Sequence, residues 1–524
     1  MIDATHLSQL NAQQLRETVL SLAGKMQSQA AEIERKDREI AFKQAFIDKL
    51  THEMAVLKRL KFAAQSEAFN AEQRSLLEEA IDTDLAALAT EIEKAQPSPQ
   101  GQDDKQKPKR QALPANLPRR EIHHEPQSST CACGCQLKRI GQDVAEKLDY
   151  QPGVFTVERH IRGKWVCDKC ETLVQAPVPA HIIDKGIPTC GLLAQVLVAK
   201  YADHLPLYRQ ESIFARAGLA LPRSTLAQWV GQCGVQLQPL VEALRAELLN
   251  QSVLHADETP VAMLKPGHGK THRAYLWSYC TTTYSPTKAV VFDFADSRAG
   301  QHARNFLGLP GAGGWQGSLV CDDFSGYKAC FEMGVTEAGC LAHARRKFHE
   351  LWANHESTIG EQALKFFVQL YEVEREVREL DVAQRKRIRQ ERSRPVADAL
   401  HLWLTEQRKK VPAGSATIRA IDYSLGRWQA LTRYIDDPEL PADNNWVENQ
   451  IRPIAIGRNN WLFAGSLRAG KRAAAVMSLV HSARLNGHDP YAYLRDVLER
   501  LPTHPASRVE ELLPHRWQAP LART

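Results

Sequence analysis

Along the first part of the chain, apolar residues return every seven positions, at Val19, Met26, Ile33, Ile40, Ile47 and Met54, with Leu22, Leu50 and Leu57 three places after the first, fifth and sixth of them. A strict seven-residue repeat keeps one seam facing a partner helix and imposes left-handed supercoiling. Gln29, Lys36 and Lys43 interrupt the second row, so the pattern predicts a weak or register-specific coiled coil within a helical region, 1–95. A single long helix lying on its own protein would show the same stripe. From Gln96 the period stops. Residues 96–128 carry repeated prolines, which predicts a linker, and Lys105, Lys107, Lys109, Arg110, Arg119 and Arg120 make it basic enough to track a phosphate backbone.

Over 129–178 the texture is β-rich: VFTVERHIRGKWVC alternates like a strand leading into Cys167. Cysteines flank this stretch as Cys131, Cys133 and Cys135 on one side and Cys167 and Cys170 on the other. Two knuckles brought together across a β-rich stretch are how a zinc ribbon builds a tetrahedral thiolate site. CDKC is a regular knuckle, whereas CACGC offers three thiols, of which Cys133 pairs with either Cys131 or Cys135. His123, His124 and His160 are alternative ligands by residue type.

Helical patterning follows over 180–248. Ile213–Ala217, then Gly218, then a helix expected from Ser224 to Val230 with a Ser/Thr start, trace a helix-turn-helix outline in which Arg223, Ser224, Thr225 and Gln228 would face DNA. Helix pairs of this outline also occur in proteins that never touch DNA. From 249 to 347 the pattern reads as three strands (SVLHADETPV, HRAYLWSYCTTT, KAVVFDFADSRAG), a helix, and a fourth strand, GSLVCDDFSGYKAC. Asp257 is expected to end the first strand and Asp322 the fourth; if those strands lie side by side, both acids emerge at one end of the sheet, where open α/β sheets hold their ligands. In ADNNWVENQIRPIAIGRNNWLFAGS, Asp443 or Asn444 can cap a short helix carrying Glu448, with Arg452 one turn later and Pro453 expected to bend or end it.

Three carboxylates of this kind suit Mg²⁺ or Mn²⁺, and two such ions support in-line phosphoryl displacement. Taken singly, a strand-end Asp is more often a turn residue and a helical Glu a solvated one. Composition adds limits. With 524 residues the chain is long enough for several domains, and a net charge of +6 permits a polyanionic partner without requiring one. No run of 18 apolar residues and no signal-peptide layout is present, so no membrane association and a cytoplasmic location are expected. Eleven cysteines, five of them between Cys131 and Cys170, suit metal ligation and buried thiols better than a disulfide framework.

The segments LHADETPV, CDDFSGYK, CLAHARRKFHEL, WVENQIRPIAIGRNNWLFAGS and SARLNGHDPYAYLRDVLERLP, in that order, resemble the transposases of the insertion-sequence-66 family, and LPANLPRREIHHE with the cysteine pairs resembles that family's N-terminal half. The resemblance implies a multidomain α+β protein with an RNase H-like α/β catalytic core, in which Asp257, Asp322 and Glu448 form a DDE triad holding two Mg²⁺ or Mn²⁺ ions, beside a structural Zn²⁺. The core would comprise 249–347 and 435–483, with a helical insertion at 348–434, where EQALKFFVQLYEVEREVREL and VADALHLWLTEQ have helical periodicity, and a family tail at 484–524. Of the adjacent acids, it assigns Asp322 as the ligand and Asp323 as the start of a turn. His343, Arg345, Arg346 and Lys347, just before the insertion, are expected either to face DNA phosphates or to serve as capping or solvated residues, and Arg452 and Arg458 are further DNA-facing candidates. It further implies terminal inverted repeats and target DNA as partners, a homodimer or higher oligomer through the coiled coil, small accessory proteins of the same element, and a bacterial cytoplasmic location on the nucleoid. A nuclease that only hydrolyses DNA and a catalytically inactive regulator are the competing readings. One departure from the family pattern is the first cysteine pair, which has a single residue between Cys131 and Cys133.

Overall fold

The computed structural model describes residues 12–63, 71–96, 113–115, 117–126, 128–151, 153–183, 186–264, 270–309 and 314–519. Two compact units result, Met1–Gln65 with Ala87–Lys107, and Ser66–Ala86 with Pro108–Thr524. The first contains helix α1, Ala12–Ala63, and the last part of α2, Ala71–Ala95. Good helix formers and same-face pairs such as Glu32–Lys36 and Glu39–Lys43 support α1, and Met26, Ile33 and Ile40 of the heptad row are exposed along it. The burial of Val19 and Leu22 lies outside the described residues.

Assigning all of 1–95 to one coiled coil needs correction, because Ala71–Ala86 belongs to the second unit. There Asp84 is buried and accepts from the Arg472 guanidinium at 2.8 Å and from the Ser466 hydroxyl, while Glu79 pairs with Lys200 and caps the Leu207 N–H at 2.9 Å. Buried carboxylates persist only when paired in this way.

Within the second unit the first sheet has strands β1 (Arg119–His124), β2 (Leu137–Gln151), β3 (Val154–Cys167) and β4 (Leu173–Gln175), ordered β1-β3-β2 with β4 also on β3. The linker expected at 96–128 is corrected at its end: Arg119 and Arg120 lie in β1, parallel to β3, and Arg119 donates to Glu146 at 3.0 Å. Its basic residues Lys105, Lys107, Lys109 and Arg110 lie outside the described residues. Helices α3 (Cys190–Tyr201), α4 (Leu207–Arg216) and α5 (Arg223–Leu249) follow. Gly218, at φ +82°, turns the chain after α4. The expected Ser/Thr start of the next helix is not what is found: Pro222 is the cap residue, and α5 runs 27 residues through Pro239.

The second sheet is β5 (Val253–Leu264), β6 (Thr271–Thr281), β7 (Val290–Ala295), β8 (Ser318–Cys321) and β9 (Thr336–Gly339), in the order β7-β6-β5-β8-β9, with α6 (Gln301–Leu307) before β8 and α7 (Lys328–Glu332) before β9. β5, β6 and β7 are antiparallel neighbours, and β8 lies parallel to β5 and to β9. Then come α8 (Leu341–His355), α9 (Thr358–Val377), α10 (Val382–Ile388), a π-helical turn Arg389–Ser393, α11 (Arg394–Lys410), α12 (Ala416–Gly426), α13 (Trp428–Asp436), α14 (Asn445–Gly457), α15 (Leu467–Leu485) and α16 (Pro490–Arg500).

Strand alternation divides the apolar residues between two cores. Leu254, Ala256 and Leu319 join a large core with α3, α5 and α15, whereas Val253, Val320 and Ala338 join a second with α8, α9, α11, α12 and α13. At the edge strand β7, the Ser478 and Ser482 hydroxyls of α15 accept from the N–H groups of Phe292 and Val290 at 2.8 and 3.0 Å, which covers an otherwise open edge. Arg389 is wholly buried beneath the second core. It pairs with Glu374 and donates to the carbonyls of Tyr434 and Leu440 at 2.8 and 3.0 Å, one in the last turn of α13 and one beyond it, where helix carbonyls lack intrahelical partners.

Candidate active site and metal centre

Asp257 does not end its strand, contrary to the sequence expectation. β5 continues to Leu264 on β6, with its last residues also bridged to Ala464, because β8 stops at Cys321. The parallel register pairs Val253 with Ser318 and His255 with Val320. Asp322 follows directly after the end of this ladder, close enough that its charge adds to the rise that burial and Glu258 impose on the Asp257 carboxyl. Asp322 is the first residue past β8; its Oδ1 accepts from the Phe324 N–H at 3.0 Å. Asp323 meets Arg427 at 3.5 Å.

Glu448 reaches this edge from the first turn of α14. Asn444, the residue before that helix, is 1% exposed and does not cap it with its side chain. Instead its Nδ2 donates to the Ala256 carbonyl at 2.9 Å and its Oδ1 lies 2.7 Å from His255 Nδ1. The helix start is thereby fixed to the strand that carries Asp257. Asp443 accepts from Tyr371 and the Asn445 N–H at 3.0 and 3.1 Å. Pro453 neither ends nor breaks α14, which continues to Gly457.

The charges feel one another. Burial, and then the neighbouring Glu258, push the Asp257 carboxyl up to about 8, and Asp322 and Glu448 add to the rise. His343 and Arg346 of α8 stand 3.9 and 4.0 Å from the Glu448 oxygens. An open cleft of about 530 Å³ is lined by Arg298, Asp322, Asp323, Phe324, His343, Arg346, Lys347 and Tyr423, among others. Clustered hard oxygen donors beside a cationic wall fit divalent cations with substrate phosphate. The three acids do not bring their oxygens within 4.8 Å of one another as a set.

The remaining cations expected to face DNA divide. Arg345 and Arg346 are exposed, and Lys347 sits 4.4 Å from the Tyr423 ring centre. Arg452 is exposed on α14, whereas Arg458 is occupied by Thr259 and the Pro260 carbonyl on β5. Arg223 is also occupied, by Ser75 and Glu78 of α2. Ser224 and Thr225 are half-buried, and Gln228 is exposed. Sequence reasoning passed over Glu258 as a site element; its adjacency to Asp257 in LHADET was the available signal.

A second centre lies at the end of β3. Cys131, Cys133, Cys167 and Cys170 bring their sulfurs within 4.8 Å of one another. The Cys131–Cys170 and Cys133–Cys167 separations are 3.3 and 3.6 Å, near the edge of about 3.8 Å for a tetrahedron with zinc–sulfur bonds of about 2.3 Å. Gly134, at φ +80°, reverses the chain so that the Cys131 N–H meets the Cys135 carbonyl at 2.7 Å, and the Cys135 thiol faces the Cys133 carbonyl instead. Among the described residues this is the one cluster of its kind. Four thiols at this spacing support a structural zinc.

Comparison with known families points to the transposases. Residues 185–472 match the Transposase IS66 family, 478–515 the IS66 C-terminal element, 128–171 the zinc-finger binding domain of transposase IS66, and 49–122 the region described as Transposase C of IS166 homeodomain. The chain belongs to the IS66 transposase family. Among relatives in Sinorhizobium fredii, the uncharacterized protein y4qI is 37% identical over 90% of this chain and 89% of its own length, and the uncharacterized protein y4jD is 35% identical over 90% and 94%. Among the described residues, no helix is long and apolar enough to cross a membrane.

Proposed function

We propose that this chain is a DDE-type transposase that binds the terminal inverted repeats of its insertion sequence and cleaves and joins DNA strands at Asp257, Asp322 and Glu448. The observation that supports this reading is that, beyond burial and Glu258, Asp322 and Glu448 both raise the Asp257 carboxyl, while the Asn444–His255 contact ties the start of the Glu448 helix to the strand of Asp257. Three antiparallel strands followed by two parallel ones, in the order β7-β6-β5-β8-β9, support an RNase H-like core, and α9 to α13 stand as its helical insertion.

Asp257, Asp322 and Glu448 would hold two Mg²⁺ or Mn²⁺ ions, which when bound supply activation of a water or 3′-hydroxyl and stabilisation of the leaving oxygen. The protein's own part is to place the strand. Arg346 and Lys347 reach the cleft from α8 and Arg298 from the loop after β7, where they draw in phosphate groups. His343 and Arg346 orient the Glu448 carboxylate. The exposed apolar row on α1 supports self-association, which would hold two DNA ends together.

The test mixes full-length protein with labelled terminal-repeat DNA and Mn²⁺. Joined products are expected. Nicks without joining would reduce the function to hydrolysis, and a mobility shift without cleavage would make the chain a DNA-binding regulator.

A further inference from the structure

Next to Asp257, on the opposite face of β5, lies a carboxylate with no place in the triad. The Glu258 side chain is 1% exposed. Its Oε2 accepts from the Tyr327 hydroxyl at 2.7 Å, and its Oε1 accepts from Arg298 Nε at 2.8 Å and from a second Arg298 nitrogen. The Arg298 guanidinium lies 3.9 Å from the centre of the Phe324 ring, and the Phe324 N–H is the donor that holds Asp322 Oδ1. Phe324 and Tyr327 meet edge to face at 5.7 Å, and each packs on Trp277 of β6.

These contacts run in one direction. β8 is only four residues long and ends at Cys321, so no ladder hydrogen bonds fix the chain where Asp322 sits. Arg427 holds the Asp322 carbonyl at 3.4 Å, and the side-chain end is fixed by the next turn, held to β5 by Glu258 through Tyr327 and through Arg298 and Phe324. We propose that Glu258 is a positioning residue that anchors the turn after β8 and thereby sets the separation of Asp257 and Asp322 for the divalent cations. The inference rests on the reading of those two acids as metal ligands. Glu258 is not itself a ligand: both of its oxygens are taken by protein donors, and its neighbour in the strand faces the opposite side. Outer partners that orient ligands in this way govern affinity as the ligands do.

The experiment measures Mn²⁺ binding by calorimetry on zinc-replete full-length chain, with thermal melting of each variant. Asp257→Asn and Asp322→Asn are expected to abolish binding. Tyr327→Phe, which removes one oxygen and keeps the ring packing, is expected to weaken Mn²⁺ binding by roughly tenfold or more while the protein stays folded. Glu258→Gln keeps an acceptor for Tyr327 and should retain most of the affinity, whereas Glu258→Leu should not. Unchanged binding in Tyr327→Phe and Glu258→Leu beside its loss in the two Asp variants would overturn the positioning role and leave the proposed function standing. Unchanged binding in the Asp variants would instead remove the triad reading on which the inference rests. Loss in Glu258→Gln as complete as in Asp257→Asn would make Glu258 a ligand and also overturn the proposal.

Discussion

Asn444 Oδ1 lies 2.7 Å from His255 Nδ1, while its Nδ2 donates to the Ala256 carbonyl. Since the amide nitrogen is committed as a donor, Oδ1 must accept, and the imidazole proton resides on Nδ1. Burial holds His255 neutral, with its pKa pushed down to about 4. The pair joins the strand of Asp257 to the helix of Glu448. Asn444→Ala should leave a buried N–H and a buried carbonyl without partners, at a cost of about 1–3 kcal/mol each, and release the start of α14. Urea denaturation should show the loss of stability and a strand-transfer assay a loss of rate beyond what the unfolded fraction explains. A folded Asn444→Ala protein with wild-type rate would show that the tether does not position Glu448.

Asp322 and Asp323 separate by what they touch. Asp322 adds to the charge around Asp257, whereas Asp323 is 45% exposed and pairs with Arg427 at 3.5 Å. Asp322→Asn should lower strand transfer by several orders of magnitude, the scale expected for a lost ligand of a two-metal site. Asp323→Asn should cost little, because an exposed pair contributes about 0–1 kcal/mol. Comparable loss in both variants would place Asp323 in the chemistry as well.

How much of this was legible in the sequence follows from which interactions are local. The order of strands, the cysteine knuckles and the helical periodicity of α9 and α11 are short-range patterns, and they read correctly. The alternation rule also held, but at Asp257 and Glu258 and not at Asp322 and Asp323, since β8 ends before the second pair. Strand length was not legible because β5 is stabilised beyond Asp257 by β6 and by the distant Ala464 segment, pairings that depend on the later chain. Nor were the roles of Arg223 and Arg458, whose partners Glu78 and Pro260 lie 145 and 198 residues away. Pro453 looked like a helix stop because the residue itself carries that preference; Val447, Ile451 and Ile454, buried in the large core, keep the helix in place across it.

At the thiolate centre, Cys135 is the control. Cys133→Ser should release the metal and unfold the small sheet, since binding at such a site contributes on the order of 10 kcal/mol to folding. Cys135→Ser should keep zinc, because its thiol faces the Cys133 carbonyl and not the cluster. Metal analysis of protein purified without chelator should give close to one zinc for wild type and Cys135→Ser. Loss of zinc in Cys135→Ser, with retention in Cys131→Ser, would exchange their roles.

On α1, Met26, Ile33 and Ile40 are all exposed and fall on one heptad row. A seam of that kind is ordinarily covered by another helix. Ile33→Lys with Ile40→Lys should shift full-length protein toward monomer in sedimentation velocity and weaken pairing of two DNA ends more than binding of one. Identical sedimentation of variant and wild type would separate self-association from this row.

The buried carboxyl at Asp257 gives the pH dependence a definite sign. Its pKa is about 8 in the folded chain, raised first by burial and then by Glu258, against 3.8 for the ordinary side chain. Between those values the folded state binds more protons than the unfolded one, so stability falls as pH rises. His255 and His481 act oppositely, because burial lowers them to about 4 and about 3. Their effect lies mainly below the ordinary value of 6.5, where stability is lost as pH falls. Unfolded histidines are still half protonated at pH 6.5, but that contribution is common to wild type and Asp257→Asn, so the difference between the two isolates Asp257. In protein free of Mg²⁺ and Mn²⁺ but retaining zinc, wild type should lose stability relative to Asp257→Asn across that interval, by at most about 1.4 kcal/mol per pH unit. Added Mn²⁺ should narrow the gap, since a cation favours the ionised carboxylate. Parallel stability curves for the two proteins in urea melts from pH 6.5 to 8 would mean that Asp257 is already ionised without metal, and that the crowding of acids at the strand edge is weaker than the geometry indicates.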